Sequence, residues 1–580
     1  MAMKTNKTLK RVLVAVSKYR LWLALSLIFC AVTVALTLLI PILVGRAVDL
    51  IVDKGNVDMA GVIKILATVG VATVITAVLQ WIINVINNKV AYNTVRDLRS
   101  RAFKKIQKLP ISYIDSHGHG DIVSRVSTDA EQFSEGLILG FTQLFTGIMT
   151  IVGTLVFMLT ISPWVALIVV ALTPLSIVVS RFISKRTYSM FTEQSKTRGE
   201  QTAFIDEMIA NQKTVKAFCR EAQAQADFDK INTRLEKCAF KATFYSSLVN
   251  PSTRFVNSMV YAAVALAGAF LALAGYMTVG GVVSFLSYAN QYTKPFNEIS
   301  GVITEFQNSL ACASRLFELI DAQPESADTD RALEKVQGDV SIKNVSFGYT
   351  DDKILIKDLN LEVKAGSHIA IVGPTGCGKT TLINLLMRFY DVKGGQIRID
   401  GTDINGVTRQ SLRASFGMVL QDTWLKSGTV RENIAMGRPD AELSEIIEAA
   451  KAVHSHSFIK RLPDGYDTVI GEGGISLSEG QRQLLSITRI MLMSPPMLIL
   501  DEATSSIDTR TEVRISRAFK KLMAGRTAFI VAHRLSTVRE SDVILVMKDG
   551  NIIEQGNHDS LIKQGGFYKT LWESQFAKSK

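Results

Sequence analysis

Gly373-Pro374-Thr375-Gly376-Cys377-Gly378-Lys379-Thr380 decides the fold of the second half of this 580-residue chain. The apolar run His368–Val372 before it reads as a short buried strand, and Thr381–Phe389 behind it reads as a helix. Strand, glycine-rich loop and helix form the setting in which backbone N–H groups curve around phosphates and a helix N-terminus adds its dipole. In that setting Lys379 reaches the outer phosphates and Thr380 offers a hydroxyl to Mg2+.

Downstream, the apolar strand Met497–Leu500 runs into Asp501-Glu502. Asp501 is suited to hold Mg2+ through water, and Glu502 to orient or deprotonate an attacking water in phosphoryl transfer. A third strand, Thr527–Val531, leads to His533, whose imidazole could contact the γ-phosphate and the water; taken alone it reads as a core or capping histidine. The acidic stretch 321–338 with Pro324 has the composition of an exposed linker, so the nucleotide-handling domain is expected over 339–580.

Upstream of that linker the chemistry changes. Apolar residues are 47% of the whole, but the long apolar runs lie in the first half. A helix needs about 20 apolar residues to cross a bilayer. Leu21–Leu43, Val62–Ile83, Leu137–Leu159, Trp164–Ser180, Val256–Leu273 and Val279 to about Gln291 are the candidates, the fourth and sixth being the weakest. Six spans over 1–320 are therefore expected.

The net charge of +12 is concentrated where a membrane protein would place it. Lys4, Lys7, Lys10, Arg11, Lys18 and Arg20 precede the first apolar run with no acid among them, and the long polar connections 87–135 and 181–241 are rich in Lys and Arg. The positive-inside rule puts both termini, both long connections and the nucleotide-handling domain in the cytoplasm, and no nucleic-acid partner is implied. The first run is too long, and lacks a small-residue cleavage site, for a removable signal peptide. The long connections keep helical periodicity and read as cytoplasmic extensions of the spans.

Polar residues in the spans are few: Gln80, Asn84, Asn87, Asn88, Gln143, Arg254, Asn257, Asn290, Gln291 and Lys294. They either line a substrate cavity or bond neighbouring helices. No Asp or Glu lies deep in a span, which removes the carboxylate of a proton-coupled carrier. Cys30, Cys219, Cys238, Cys312 and Cys377 are far apart, arguing against a disulfide framework or zinc site, and His117-Gly118-His119 reads as a glycine turn before a helix.

Leu477-Ser478-Glu479-Gly480-Gln481, followed by an apolar helical stretch, resembles the L-S-G-G-Q signature of the ATP-binding cassette superfamily. The resemblance extends to Tyr349 as the aromatic stacking on adenine, and to Gln421 in the loop that couples to the membrane part and reaches Mg2+. It covers Thr468–Gly473 as a cross-linking loop and Ser505–Asp508 as the D-loop. With the segment His117–Asp129 and the order of domains, the chain looks like a type IV exporter half: an α-helical six-span domain with long cytoplasmic extensions, then an α/β P-loop cassette.

That resemblance implies ATP and Mg2+ as cofactors and an ATP hydrolase coupled to export of amphipathic or hydrophobic compounds. It implies two intracellular helix pairs touching the cassettes. Gly373 to Thr381, with Tyr349, would hold one nucleotide from one side, and Ser478, Glu479, Gly480, Gln481 and Asp508 would close on the partner's. Glu502, His533 and Gln421 would be catalytic. The family has Gly where this chain has Glu479, a carboxylate that the resemblance would bring close to a γ-phosphate. This chain therefore resembles the catalytic-glutamate member of a heterodimeric multidrug-type exporter, paired with a half that carries L-S-G-G-Q; a homodimer is the alternative. An ATP-gated channel or sensor, a lipid flippase and a siderophore importer are the competing readings. A peptide exporter also stays open, although the lack of a peptidase-like segment before the first run weakens the reading as a peptide-processing exporter.

Overall fold

The computed structural model describes residues 2–51, 57–350, 352–420, 423–471, 473–501, 509–531 and 538–575. They form two units, residues 1–107 with 118–322, and residues 108–117 with 323–580.

The first unit is helical. A short helix α1 (Ala2–Ser17) precedes α2 (Arg20–Asp49) and the long α3 (Met59–Ile106). After α4 (Ile111–Ser116), which belongs to the second unit, come α5 (His119–Val126), α6 (Thr128–Leu139) and α7 (Phe145–Ile161), with a π-helical turn over Gly140–Leu144 between the last two. Then follow α8 (Pro163–Ala210), α9 (Gln212–Ala217), α10 (Glu221–Ser247), α11 (Val249–Leu273) and α12 (Val279–Asp321).

The helices run well beyond the apolar segments, as their periodicity predicts: α3 continues to Ile106 and α8 to Ala210. Among the described residues, four stretches are long and apolar enough to cross a membrane: Arg20–Asp49, Met59–Ile106, His119–Ile161 and Glu221–Leu273. The two weakest candidate spans lie inside α8, where Pro163–Leu175 is a shorter apolar piece, and α12.

Small residues allow close approach of α2 and α12. A side chain on Gly45 would collide with Ser284 and the Gly280 carbonyl, and one on Gly280 with the Gly45 carbonyl. Asp49 then caps α12, accepting from the Gly280 N–H at 2.6 Å and the Thr278 hydroxyl at 2.9 Å. Asn87 is buried and bonds across helices, accepting from Ser26 at 2.8 Å and donating to Thr142 at 3.2 Å. Asn87 thus joins helices, whereas Gln80 donates to Asn84 one turn on in its own helix.

The second unit carries the strands. β1 (Val340–Phe347), β2 (Ile356–Val363), β4 (Gly394–Ile399) and β5 (Thr402–Asp403) form an antiparallel sheet in the order β2-β1-β4-β5. The second sheet contains β3 (His368–Val372), β6 (Phe416–Val419), β9 (Met497–Asp501), β10 (Thr527–Val531), β11 (Val543–Lys548) and β12 (Asn551–Gly556), in the order β12-β11-β3-β10-β9-β6. All its pairings are parallel except β11 with β12. β7 (Gly428–Thr429) pairs with β8 (Val469–Ile470).

Apolar runs without alternation are what a parallel sheet buried on both faces requires. Ile369, Ile371, Ile499 and Phe529 enter the core shared with the antiparallel sheet. Their neighbours Ala370, Leu498, Leu500 and Ile530 enter the core on the other face.

The stretch after α12 has no regular structure and is largely exposed, yet it is fastened down. Arg409, 6% exposed, donates to the Ser326 carbonyl at 2.7 Å and to Asp328 at 2.6 Å, and lies 3.4 Å from Asp391. Arg388, 4% exposed, donates to Asp391 at 3.1 Å and to the carbonyls of Ile404 and Val407. Burial pushes the Asp391 carboxyl up, but hydrogen bonds from Ser326 and Arg388, with the charges of Arg409 and Arg388, hold it below the usual carboxylate value.

Candidate nucleotide site

The parallel strands β3, β6, β9 and β10 end together. Val419 pairs with Leu500, Asp501 with Val531, and Val531 with Ile371, so their C-terminal ends form one edge of the sheet. Ligands of open parallel sheets bind outside that edge. The glycine loop leaves it directly after Val372, and Asp501 is the last residue of β9.

The loop turns into the helix Lys379–Leu386, so Lys379 and Thr380 sit in its first turn, two residues earlier than the sequence suggests. Gly376 (φ 82) and Gly378 (φ 103) hold left-handed conformations that side chains disfavour, and open space surrounds the position a Gly376 side chain would take. The Lys379 ammonium donates to the carbonyls of Gly373 at 2.8 Å and Pro374 at 3.0 Å, folding its charge over the loop. The Cys377 side chain is buried, and its carbonyl accepts from the Gly550 N–H at 3.1 Å, which ties the loop to the turn between β11 and β12. A triphosphate fits such a cradle of N–H groups at a helix start.

Tyr349 stands beside this helix. Its hydroxyl lies 3.1 Å from that of Thr381 and accepts from Asn384 at 3.3 Å, while Phe347 and Tyr390 meet its ring edge-on. The ring is half exposed, which leaves a face for a flat aromatic base.

The signature forms the start of a separate helix, Glu479–Met493. Ser478 is its N-cap and accepts from the Gln481 N–H at 3.3 Å, while Gln481 accepts from the Ser478 N–H at 2.9 Å. This reciprocal box explains why Ser and Gln stand three apart. Leu477 and Gly480 are buried, whereas Glu479 is exposed in the first turn.

Gln421, Glu502, Ser505 to Asp508 and His533 lie outside the described residues. In the chain they follow the ends of β6, β9 and β10, which share the edge that carries the glycine loop.

Sequence reasoning missed how α4 is held. Tyr390, next to Phe389 at the foot of the glycine-loop region, donates to Asp115 of α4, and the Glu325 N–H donates to the Lys108 carbonyl at 2.9 Å. Burial, with Asp115 beside it, raises the Tyr390 phenol above its ordinary value. The His117 ring stacks on Tyr113 at 4.1 Å, and among the described residues no cluster of three metal-ligating side chains exists.

A phosphate cradle on a parallel-sheet edge, a capped signature helix and a preceding unit of long apolar helices define an ATP-driven membrane transporter. Residues 23–296 match the ABC transporter transmembrane region and residues 356–505 match the ABC transporter domain. An uncharacterised ABC transporter ATP-binding protein of Bacillus subtilis is 40% identical over 100% of this chain and 96% of its own length. The fatty acid ABC transporter ATP-binding/permease protein of Mycobacterium tuberculosis is 42% identical over 89% of this chain and 82% of its own. The structure of a bacterial Atm1-family ABC exporter with ATP bound superposes with a TM-score of 0.79 at 30% identity, covering 97% of this chain and 99% of that one.

The chain belongs to the ABC transporter family and has the exporter fold. It binds ATP, couples its hydrolysis to export, and is a multi-pass protein of the cytoplasmic membrane with its nucleotide-binding domain in the cytoplasm. As a half-transporter it works as a dimer.

Proposed function

We propose that this chain exports amphipathic compounds as the catalytic-glutamate half of a mixed pair, its partner carrying the unaltered signature. The single observation behind the mixed pair is Glu479, an exposed carboxylate in the first turn of the signature helix, where the family has glycine. Two like charges a few ångströms apart cost on the order of a few kcal/mol at an effective dielectric near 20. The site closed by this signature is then a poor hydrolytic site, and the site built on this chain's own loop is the working one.

In that working site the loop 373–380 binds the phosphates through N–H groups, and Lys379 swings from the Gly373 and Pro374 carbonyls to the outer phosphates. Tyr349 orients the base. Mg2+, when bound, neutralises charge on the phosphates, with Thr380, Gln421 and Asp501 as its holders. Glu502 positions the water, His533 the γ-phosphate, and Ser478, Gly480, Gln481 and Asp508 serve the opposite nucleotide.

An amphipathic cargo is supported by two buried carboxamide oxygens, Asn257 Oδ1 on α11 and Gln291 Oε1 on α12, which have no hydrogen-bond partner among the described residues. Such groups in a membrane bundle mark a polar lining. The fatty acid relative carries a substrate of this kind.

ATPase activity and oligomeric mass in lipid nanodiscs test the pairing. This chain alone is expected to be inactive or unpaired, and active after co-expression with a half carrying L-S-G-G-Q. A dimer of this chain alone with full activity would establish a homodimer instead.

A further inference from the structure

We infer that α1 carries a resident anionic phospholipid of the inner leaflet, distinct from the cargo. Two cavities flank the same turns of this helix. One, about 400 Å³, is lined by Lys10, Arg11, Lys18, Asp97, Arg101 and Phe317. The other, about 270 Å³, is lined by Leu23, Ser26, Leu27 and Cys30 of α2, with Phe141 and Phe145 at the π-helical turn, and by Leu13 and Val16 of α1.

The charges do not cancel. Arg11 is paired with Asp321, and Lys18 with Asp97 at 2.6 Å. Lys10 and Arg101 have no ionic or hydrogen-bonded partner among the described residues, although both line the first cavity. Two unpaired cations in a concave site at the cytoplasmic end of membrane helices suit a phosphate headgroup.

The second cavity suits an acyl chain. Leu23, Ser26, Leu27 and Cys30 are spaced as one stripe, so the cavity follows α2 for about 10 Å. Its polar lining groups are already bonded, Ser26 to Asn87, Ser17 to the Val14 carbonyl and Thr146 to Cys30 at 3.4 Å, and the remaining lining is apolar.

Between the cavities α1 leaves Leu13 and Val14 58% and 73% exposed, while Val12 and Val16 are buried. Trp22, with the Lys89 ammonium 4.8 Å from its ring centre, marks the interface level just beyond. One lipid can therefore place its phosphate by Lys10 and Arg101 and pass a chain over Val14 and Leu13 into the apolar cavity. Because both cavities also involve α3, and the apolar one the π-helical turn, such a lipid would brace the elements that a membrane transporter moves.

The test is native mass spectrometry of the full chain with its partner, released from nanodiscs of phosphatidylcholine with phosphatidylglycerol. Phosphatidylglycerol is expected to be retained selectively. Lys10→Gln with Arg101→Gln should weaken its retention about 30-fold, whereas Lys10→Arg with Arg101→Lys should keep it, showing that charge and not folding is at issue. Leu27→Trp, which fills the apolar cavity, should also lower retention. Equal retention of both lipids, unchanged retention in the Gln variant, or displacement by soluble glycerol phosphate as effectively as by the lipid would each overturn the inference.

Discussion

Replacing Arg409 by alanine should loosen the segment that leads from α12 into the first strand of the cassette. The side chain donates to the Ser326 carbonyl, the Ser326 hydroxyl and Asp328, at 2.7, 2.6 and 2.6 Å. Removing one partner of a fully buried ion pair costs about 3–5 kcal/mol. Here the acids stay partly wet, with the Asp328 and Asp391 side chains 34% and 46% exposed. Water recovers part of the loss, the Arg409 backbone N–H still reaches Asp328 at 2.8 Å, and Arg388 remains near both acids. The net cost should be roughly 2–3 kcal/mol, or about 4–10 °C in the cassette's melting temperature. Thermal unfolding of the purified protein reads it, with Arg409→Lys falling between because it keeps the charge and loses the fork. Since Glu325, within the fastened stretch, holds Lys108 ahead of α4, the alanine variant should also lose substrate stimulation of ATPase while basal turnover survives. A variant that melts with the parent, within about 0.5 kcal/mol, would refute the clasp, because ordinary surface changes fall in that range.

Glu502→Gln should keep ATP binding and trap the closed dimer while hydrolysis falls by orders of magnitude; near-normal turnover would remove Glu502 from the water-positioning role. Glu479→Gly in the assembled pair should raise ATPase activity, and an unchanged rate would dismiss the charge argument for an impaired site. Burial holds His558 below the ordinary histidine value, its Nδ1 lying 2.9 Å from the Tyr568 hydroxyl, itself pushed up to about 12 by burial. A depressed histidine favours folding above its unfolded value near 6.5, and that contribution is lost as pH falls through and below it. The cassette's melting temperature should thus drop between pH 7 and 5.5 by more in the parent than in His558→Gln, and parallel pH curves would count against it.

The cassette was legible because local chemistry and topology coincide there. His368–Val372 and Thr527–Val531 are strands with the bounds their apolar runs give, since a strand buried on both faces must be apolar throughout. The glycine-loop helix begins earlier than read because Lys379 and Thr380, polar for the sake of phosphate, hide the apolar helical pattern. The weaker spans were hard to read for a related reason. Tyr288 and Ser284 of α12 are buried and bonded to α2 carbonyls, so their polarity is satisfied inside the bundle and lowers the apolar signal. The fastening of 325–328 by Arg388 and Arg409 depends on residues some 60 to 80 positions apart, and no periodicity reports such a pairing.

The signature helix shows why an altered motif can persist. Ser478 and Gln481 build its first turn from within the chain, so the turn forms whether or not a partner's nucleotide arrives. Within that turn a carboxylate is locally welcome: at a helix N-terminus it gains about 0.3–1 kcal/mol from the macrodipole. Placed against a γ-phosphate, as in the proposed pairing, the same carboxylate would cost on the order of a few kcal/mol. Folding of this chain therefore exerts no pressure to remove Glu479, and under the proposed pairing only the paired site would. If both sites of the transporter were built on this signature, both would carry that cost and the whole ATPase rate would suffer. In a mixed pair the cost falls on one site, while Lys379, Asp501 and Glu502 meet an unaltered signature in the other. The proposed mixed pair is thus the arrangement in which Glu479 would cost the least turnover.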